Sequence, residues 1–201
     1  MALAEQITKA GRKLPTWVVY VALLLPAPWF VFDAAGHPEP IKALEHGLGL
    51  FSLQLLIATL CITPLRKYAG VNVLRFRRAL GLMAFFYLVA HLGVWLVLDV
   101  QTPARIWADI VKRPYITIGM AGFLLLVPLA VTSNRASIRK LGRNWQRVHW
   151  LIYPAVALAA LHFIWLRKGI QVEPVLYALG IAGLLAMRIR WKAKRVAANR
   201  G

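Results

Sequence analysis

The sequence is poor in cysteine and in acidic residues, and it has no long hydrophilic stretch. Its single cysteine, Cys61, excludes an intrachain disulfide, and no C-x-x-C-H motif is present to attach a cofactor covalently. Only seven residues are acidic, against 25 that are basic. Without a long hydrophilic stretch, the chain has almost no residues left for a separate soluble domain.

Several catalytic and nucleotide-binding motifs are also missing. No G-x-G-x-x-G motif follows a predicted strand, and Gly47-Leu48-Gly49 lacks both the third glycine and the strand–helix setting. We therefore expect no dinucleotide-binding domain. No H-E-x-x-H motif, P-loop or Ser/His/Asp set is visible, so the sequence gives no support to a hydrolase.

Apolar residues dominate what is present. The chain is 60% hydrophobic with a mean hydropathy of +0.61, and it has six apolar runs long enough to cross about 30 Å of hydrocarbon. The sequence predicts an all-α integral membrane protein, a single domain over residues 1–201 that forms a six-helix transmembrane bundle. The first run follows three basic residues but no A-x-A-like site follows it, so we expect an uncleaved span. The predicted spans are residues 14–32, 46–64, 78–98, 115–132, 149–166 and 172–190.

The net charge of +18 is distributed unevenly between the predicted loops. With the N-terminus inside, 19 of the 25 basic residues and only one acidic residue, Glu5, lie on the inner side. The outer side has equal numbers of acidic and basic residues. This pattern predicts that both termini are cytoplasmic, with contacts to anionic lipid, and it makes nucleic-acid binding a poor explanation of the charge.

Prolines predict interruptions in the helices. Pro26 and Pro28 predict a break near the outer end of the first span, and Thr63-Pro64 predicts a sharp end to the second. Pro154 removes the helical partner of the Trp150 carbonyl, so the start of the fifth span should be irregular. A short interfacial helix is expected around residues 105–111.

Three histidines lie inside or at the edge of apolar runs, where an ionisable side chain indicates a functional site. His91 lies 13 residues beyond Arg78, and His162 lies 13 residues beyond His149, in spans that run in the same direction. Both offsets correspond to about 20 Å of helix. His91 and His162 should therefore share one level toward the outer face, and Arg78 and His149 another near the inner face.

The outer pair favours a low-spin haem b with two imidazole ligands, because small residues such as Ala155 and Ala159 precede His162 and admit a flat ring. Alternatively, both histidines are hydrogen-bonded bundle residues among closely packed helices. At the inner level, Arg78 cannot readily ligate iron but can hold a haem propionate. His149 has three possible roles there: a second haem, a flavin phosphate or the headgroup region. A surface role is expected for the remaining two histidines, His37 and His46.

Two stretches, RFRRALGLMAFFYLVAHLGVW at 75–95 and NWQRVHWLIYPAVALAALHFIW at 144–165, resemble the ferric-reductase-like transmembrane domain. The TPL after the second span and the RRALGL that opens the third resemble the narrower MsrQ (YedZ) family, over nearly the whole chain. The family's members are haem-binding membrane subunits of a periplasmic methionine-sulfoxide reductase system.

The resemblance implies haem b, an associated FMN, and a periplasmic molybdenum-containing reductase subunit as partner. It implies cofactor-binding roles for His91, His149 and His162, the three haem histidines, and for the basic pair Arg77 and Arg78. Larger members of the superfamily have two histidines on each of the two helices, whereas the third span here has one. The resemblance gives no residues for the FMN.

The combined expectation is a multi-pass protein of the bacterial inner membrane that transfers electrons and leaves the methionine-sulfoxide chemistry to its partner. Without a dinucleotide domain, the electrons must come from the quinone pool or from a cytoplasmic flavin reductase. One alternative is a transmembrane ferric reductase or another quinol-linked cytochrome b. A non-redox transporter fits less well, because carboxylates are scarce in the middle of the predicted spans.

Overall fold

The computed structural model describes the backbone of residues 2–166 and 171–198, and the side chains of residues 3–166 and 171–188. Within these ranges the regular structure is entirely helical. The α-helices are α1 (Ala2–Lys13), α2 (Thr16–Leu24), α3 (Pro26–Ala35), α4 (Pro40–Tyr68), α5 (Arg77–Val94), α6 (Pro103–Lys112), α7 (Pro114–Val131), α8 (Arg135–Leu141), α9 (Arg143–His149), α10 (Ile152–Leu166) and α11 (Val172–Ala198). A 3₁₀ turn over Leu74–Phe76 precedes α5, and a π-helix over Trp95–Val100 extends it.

Five of the six predicted spans are long and apolar enough to cross a membrane. The sixth predicted span, residues 172–190, coincides with the start of α11, but the side chains of residues 189 and 190 lie outside the described part of the chain. The six-span count and the cytoplasmic termini therefore stay predictions. We call the end of the bundle where α4 begins and α5 ends the outer end, following the predicted orientation. The five segments of sufficient length and hydropathy are Thr16–Ala35, Pro40–Tyr68, Leu74–Val100, Pro114–Val131 and Arg143–Leu166.

Two of the predicted interruptions are confirmed. The first span is divided at Leu25, because Pro26 has no backbone N–H and starts α3. The fifth span is divided between α9 and α10, where the Trp150 carbonyl accepts a short-range hydrogen bond from the Tyr153 N–H at 3.1 Å. The interfacial helix expected around residues 105–111 is also present, as α6.

The predicted end of the second span at Thr63-Pro64 is wrong, since α4 continues through Pro64 to Tyr68. Pro64 cannot donate to the Leu60 carbonyl, which would normally be an isolated acceptor inside the helix. The Arg188 guanidinium of α11 replaces that donor, with Nη2 2.8 Å from the Leu60 oxygen. A tertiary hydrogen bond therefore allows the helix to pass its proline.

Two helix pairs, α4 with α5 and α7 with α10, have the most extensive contacts in the described bundle. Within the first pair, the buried Ser52 hydroxyl donates to the Ala84 carbonyl at 2.8 Å. A core of leucine, alanine and methionine side chains joins the two pairs below the outer end. Many large apolar side chains point outward instead, as expected for helices in contact with lipid.

Candidate cofactor site

A cavity of about 400 Å³ opens between the two helix pairs toward the outer end. His91 of α5 and His162 of α10 both line it. The structure thus brings together the two histidines that the sequence predicts to share one level. Among the described residues, no group of three or more His, Cys, Asp or Glu side chains is arranged to hold a metal ion. The site is therefore a pair of imidazoles, which suits a metal that brings its own equatorial ligands.

The His91 ring is oriented by the backbone of α4. Its Nδ1 lies 2.8 Å from the carbonyl oxygen of Glu45, and a carbonyl can only accept a hydrogen bond. Nδ1 must therefore carry the ring proton and donate it. This tautomer leaves the lone pair on Nε2, the nitrogen that binds a metal in such an arrangement.

His162 repeats this geometry in the other helix pair. Its Nδ1 lies 2.7 Å from the carbonyl oxygen of Tyr115, in the first turn of α7. The same argument assigns the proton to Nδ1 and the lone pair to Nε2. The Tyr115 ring also contacts the imidazole, with the ring centroids 6.1 Å apart. His91 and His162 are thus each oriented by a backbone acceptor on a neighbouring helix, with Nδ1 bonded to that carbonyl.

The walls of the cavity suit a flat apolar group. The two predicted alanines, Ala155 and Ala159, lie on the wall, as do the small residues Ser52 and Gly122. Larger apolar side chains cover the remainder of the deep part: Leu53, Leu56, Leu88, Phe123 and Leu126. Small residues leave room for a planar ring, and the large ones exclude water from its faces.

Charged side chains surround the mouth of the cavity at the outer end. Lys42 and Arg113 line it from opposite helix pairs, together with the carboxylates of Glu45 and Asp99. Arg113 pairs with Asp109 at 3.3 Å. The hydrogen bond to the Tyr115 hydroxyl raises the pKa of Arg113, so this guanidinium keeps its charge. The other cation, Lys42, pairs with Glu39 at 2.6 Å. The cavity therefore has an apolar interior and a mouth with two basic and two acidic side chains.

The inner-level residues are not brought to this cavity. His149 Nδ1 donates to the Trp145 carbonyl at 3.1 Å, and its Nε2 lies 3.5 Å from the Ser133 hydroxyl. The Trp145 ring stacks on it at 3.8 Å between centroids. Arg77 is partly buried and acts electrostatically on His149, whereas Arg78 is exposed.

Comparison with known proteins gives a consistent result. The family described as ferric reductase like transmembrane component matches residues 46–160, which contain His91 and most of the cavity wall. A protein-methionine-sulfoxide reductase heme-binding subunit MsrQ from Brucella ovis is 49% identical over 177 residues, covering 86% of this chain and 80% of its own. The chain belongs to the MsrQ family. MsrQ proteins from Brucella canis and Brucella suis match it at the same identity and coverage. No solved structure gives a significant match.

For this MsrQ family member, the sequence indicated the two cavity histidines but missed other parts of the site. His46 was expected at the surface, yet it lines the cavity wall. Lys42 and Arg113 were recognised only as outer basic residues, and their shared position requires the tertiary fold. The Glu45 and Tyr115 carbonyls have no side-chain signature at all, so no sequence pattern identifies them as acceptors.

Proposed function

We propose that this chain is a membrane electron-transfer subunit that holds one haem b between His91 and His162. The observation that supports this most directly is the matched pair of imidazoles, each with Nδ1 bonded to a backbone carbonyl and Nε2 left as the ligand atom. Two such nitrogens, one from each helix pair, would hold the iron of a haem b in this apolar cavity. When bound, the haem supplies reversible one-electron transfer at the iron.

The other residues that line the cavity have separate steric and electrostatic roles. Ala155 and Ala159 give room to the ring, and the apolar side chains keep water from it. Lys42 and Arg113, which pair with Glu39 and Asp109, would share or exchange those partners for the two propionates at the mouth. The outward position of the mouth favours transfer to an acceptor outside the membrane.

The relatives in Brucella are named as subunits of a protein-methionine-sulfoxide reductase. We propose by extension that this chain transfers electrons from the quinone pool, or from a cytoplasmic flavin reductase, to a periplasmic molybdenum-containing subunit that reduces oxidised methionine. The chain would then lie in the bacterial inner membrane. A transmembrane ferric reductase, the alternative, would use the same cavity and differ only in its acceptor.

Three further predictions concern the inner level and the flavin. A second haem at His149, cofactor contacts from Arg77 and Arg78, and a bound FMN all come from the sequence and the family resemblance. His149 does not line the cavity, its ring stacks on Trp145, and its Nε2 lies a long 3.5 Å from the Ser133 hydroxyl. We therefore propose one haem as the main cofactor.

The test is a reduced-minus-oxidised visible spectrum of the detergent-purified protein, with four histidine variants. We expect sharp α and Soret bands in the wild type and their loss in His91→Ala and His162→Ala. His46→Ala tests the third histidine of the cavity wall and should keep the bands. His37→Ala is the matched control, because His37 is exposed and pairs with Asp33 outside the cavity.

If the wild type shows no α or Soret band after haem-replete expression, the proposal is wrong and a transporter is favoured. Bands that survive both substitutions would keep the haem but reject these ligands. The acceptor is decided by mixing the reduced protein with a periplasmic methionine-sulfoxide reductase or with a ferric chelate. Reoxidation by the chelate alone would favour the ferric reductase.

A further inference from the structure

A glycine lies against each of the two cavity histidines. A Cβ atom added at Gly49 of α4 would lie 3.0 Å from Nδ1 and 3.2 Å from Cε1 of His91. A Cβ atom added at Gly119 of α7 would lie 2.8 Å from Nδ1 and 2.9 Å from Cε1 of His162. Both rings therefore occupy the space that a side chain would fill.

The spacing of these glycines from the carbonyl acceptors is the same in both pairs. Gly49 lies four residues after Glu45, and Gly119 lies four residues after Tyr115. In an α-helix the Cα–Cβ bond tilts toward the N-terminus, so a side chain at one position covers the carbonyl four residues earlier. Glycine leaves that carbonyl open, and it can accept a second hydrogen bond from the imidazole in addition to its helical one.

We propose that Gly49 and Gly119 are positioning residues for the two imidazoles. Each glycine allows one ring to reach its carbonyl, and the hydrogen bond together with the close contact fixes the rotation of that ring. The inference rests on the proposed haem function. The angle between the imidazole planes and the strength of the Nδ1 hydrogen bond both tune a bis-histidine iron. The glycines therefore act on the spectrum and the potential through the ligands.

The two contacts predict unequal effects. Real Cβ atoms essentially never approach another heavy atom as closely as the 2.8 Å and 2.9 Å that alanine would require at position 119. The His162 ring or the α7 backbone must shift to admit this atom, and either shift changes the hydrogen bond to the Tyr115 carbonyl. At position 49 the distances are 3.0 Å and 3.2 Å, which a small ring rotation relieves. Gly119→Ala should therefore change the EPR signal and midpoint potential of the haem iron more than Gly49→Ala does.

The experiment compares Gly119→Ala, Gly49→Ala and Gly81→Ala with the wild type. Gly81 is a helical glycine of α5 with no atom within 4 Å of an added Cβ, so it is the matched control. The readouts are the low-temperature EPR signal of the ferric haem and its midpoint potential. We expect a displaced or lost low-spin signal in Gly119→Ala, a smaller displacement in Gly49→Ala, and the wild-type signal in Gly81→Ala.

Wild-type signals and potentials in both Gly49→Ala and Gly119→Ala would overturn the inference while leaving the haem proposal intact. An equal shift in Gly81→Ala would also overturn it, because the effect would then be general to helix packing. If Gly119→Ala is not recovered from the membrane, Gly49→Ala decides the question alone. A wild type without haem would reject the proposed function itself, which the histidine variants detect separately.

Discussion

At the scale of single residues, Tyr87 connects the third span to the divided first span through a hydrogen bond and ring contacts. Its side chain is fully buried, and its hydroxyl donates to the Leu23 carbonyl at 2.7 Å, next to the break between α2 and α3. The ring packs edge-on against Phe51, with centroids 4.7 Å apart, and against Phe30 at 6.2 Å. A polar tip and an aromatic body together hold the interrupted span against α5.

Tyr87→Phe should lower stability by about 1–2 kcal/mol, because it removes the hydroxyl but keeps the ring. Thermal unfolding in detergent, followed by circular dichroism, measures the change as a lower Tm. Tyr68→Phe is the control, since Tyr68 is 63% exposed and its hydroxyl accepts from the side chain of its neighbour Lys67. Equal Tm values for Tyr87→Phe and the wild type would contradict the role given to the hydroxyl.

Residue chemistry also explains which parts of the site the sequence could predict. His91 and His162 were identifiable because an imidazole is unusual in an apolar helix, and helix rise places them at one level. The carbonyl groups of Glu45 and Tyr115, which accept from them, were not identifiable from the sequence, because every residue has a carbonyl. The roles of Gly49 and Gly119 depend on which helix lies opposite each histidine, and the sequence does not contain that pairing.

At the scale of the helix, α4 shows that a proline's effect depends on what packs against it. The isolated dipeptide Thr63-Pro64 favours a helix end, and this prediction failed because Arg188, 128 positions from Leu60, supplies the missing donor to the Leu60 carbonyl. The break at Pro26 and the irregular start near Pro154 were predicted correctly, since those interruptions require no distant partner. Local chemistry therefore predicted element boundaries only where tertiary contacts did not compensate.

Arg188→Met should destabilise the bundle by about 1.5–3 kcal/mol, because it removes a charged donor from the buried Leu60 carbonyl. In a Pro64→Ala background the same change should have a smaller effect, since the backbone N–H of the new alanine donates to Leu60 instead. Unfolding of the four proteins in a double-mutant cycle measures this coupling. Additive effects would show that Arg188 does not compensate for the proline.

At the scale of the whole molecule, charge and hydropathy predicted most of the architecture. The described part of the chain is all-helical in its regular structure and has five helical segments long and apolar enough to span a membrane, where helices satisfy their own backbone hydrogen bonds. The cavity between the α4/α5 and α7/α10 pairs was not predictable in its shape, because it depends on how four helices cross. The predicted orientation follows from the basic loops alone and needs its own test.

Single-cysteine labelling in intact cells tests the orientation, using Cys61→Ser as the background. Arg139→Cys, in α8, should react with an impermeant maleimide only after the cells are broken. Arg105→Cys, in α6, should react in intact cells. Both positions are exposed, so reactivity reports the side of the membrane rather than burial. The reverse pattern would invert the bundle and move the cavity mouth to the cytoplasm.

The position of the cavity also has a consequence for how the protein is maintained in the cell. A group that binds both His91 on one helix pair and His162 on the other connects the two helix pairs of the bundle. Loosely joined helices are the form that membrane proteases attack. The abundance of this protein should therefore follow the cell's supply of haem. We expect haem starvation to lower the amount of the protein before it lowers the electron-transfer rate of the protein that remains.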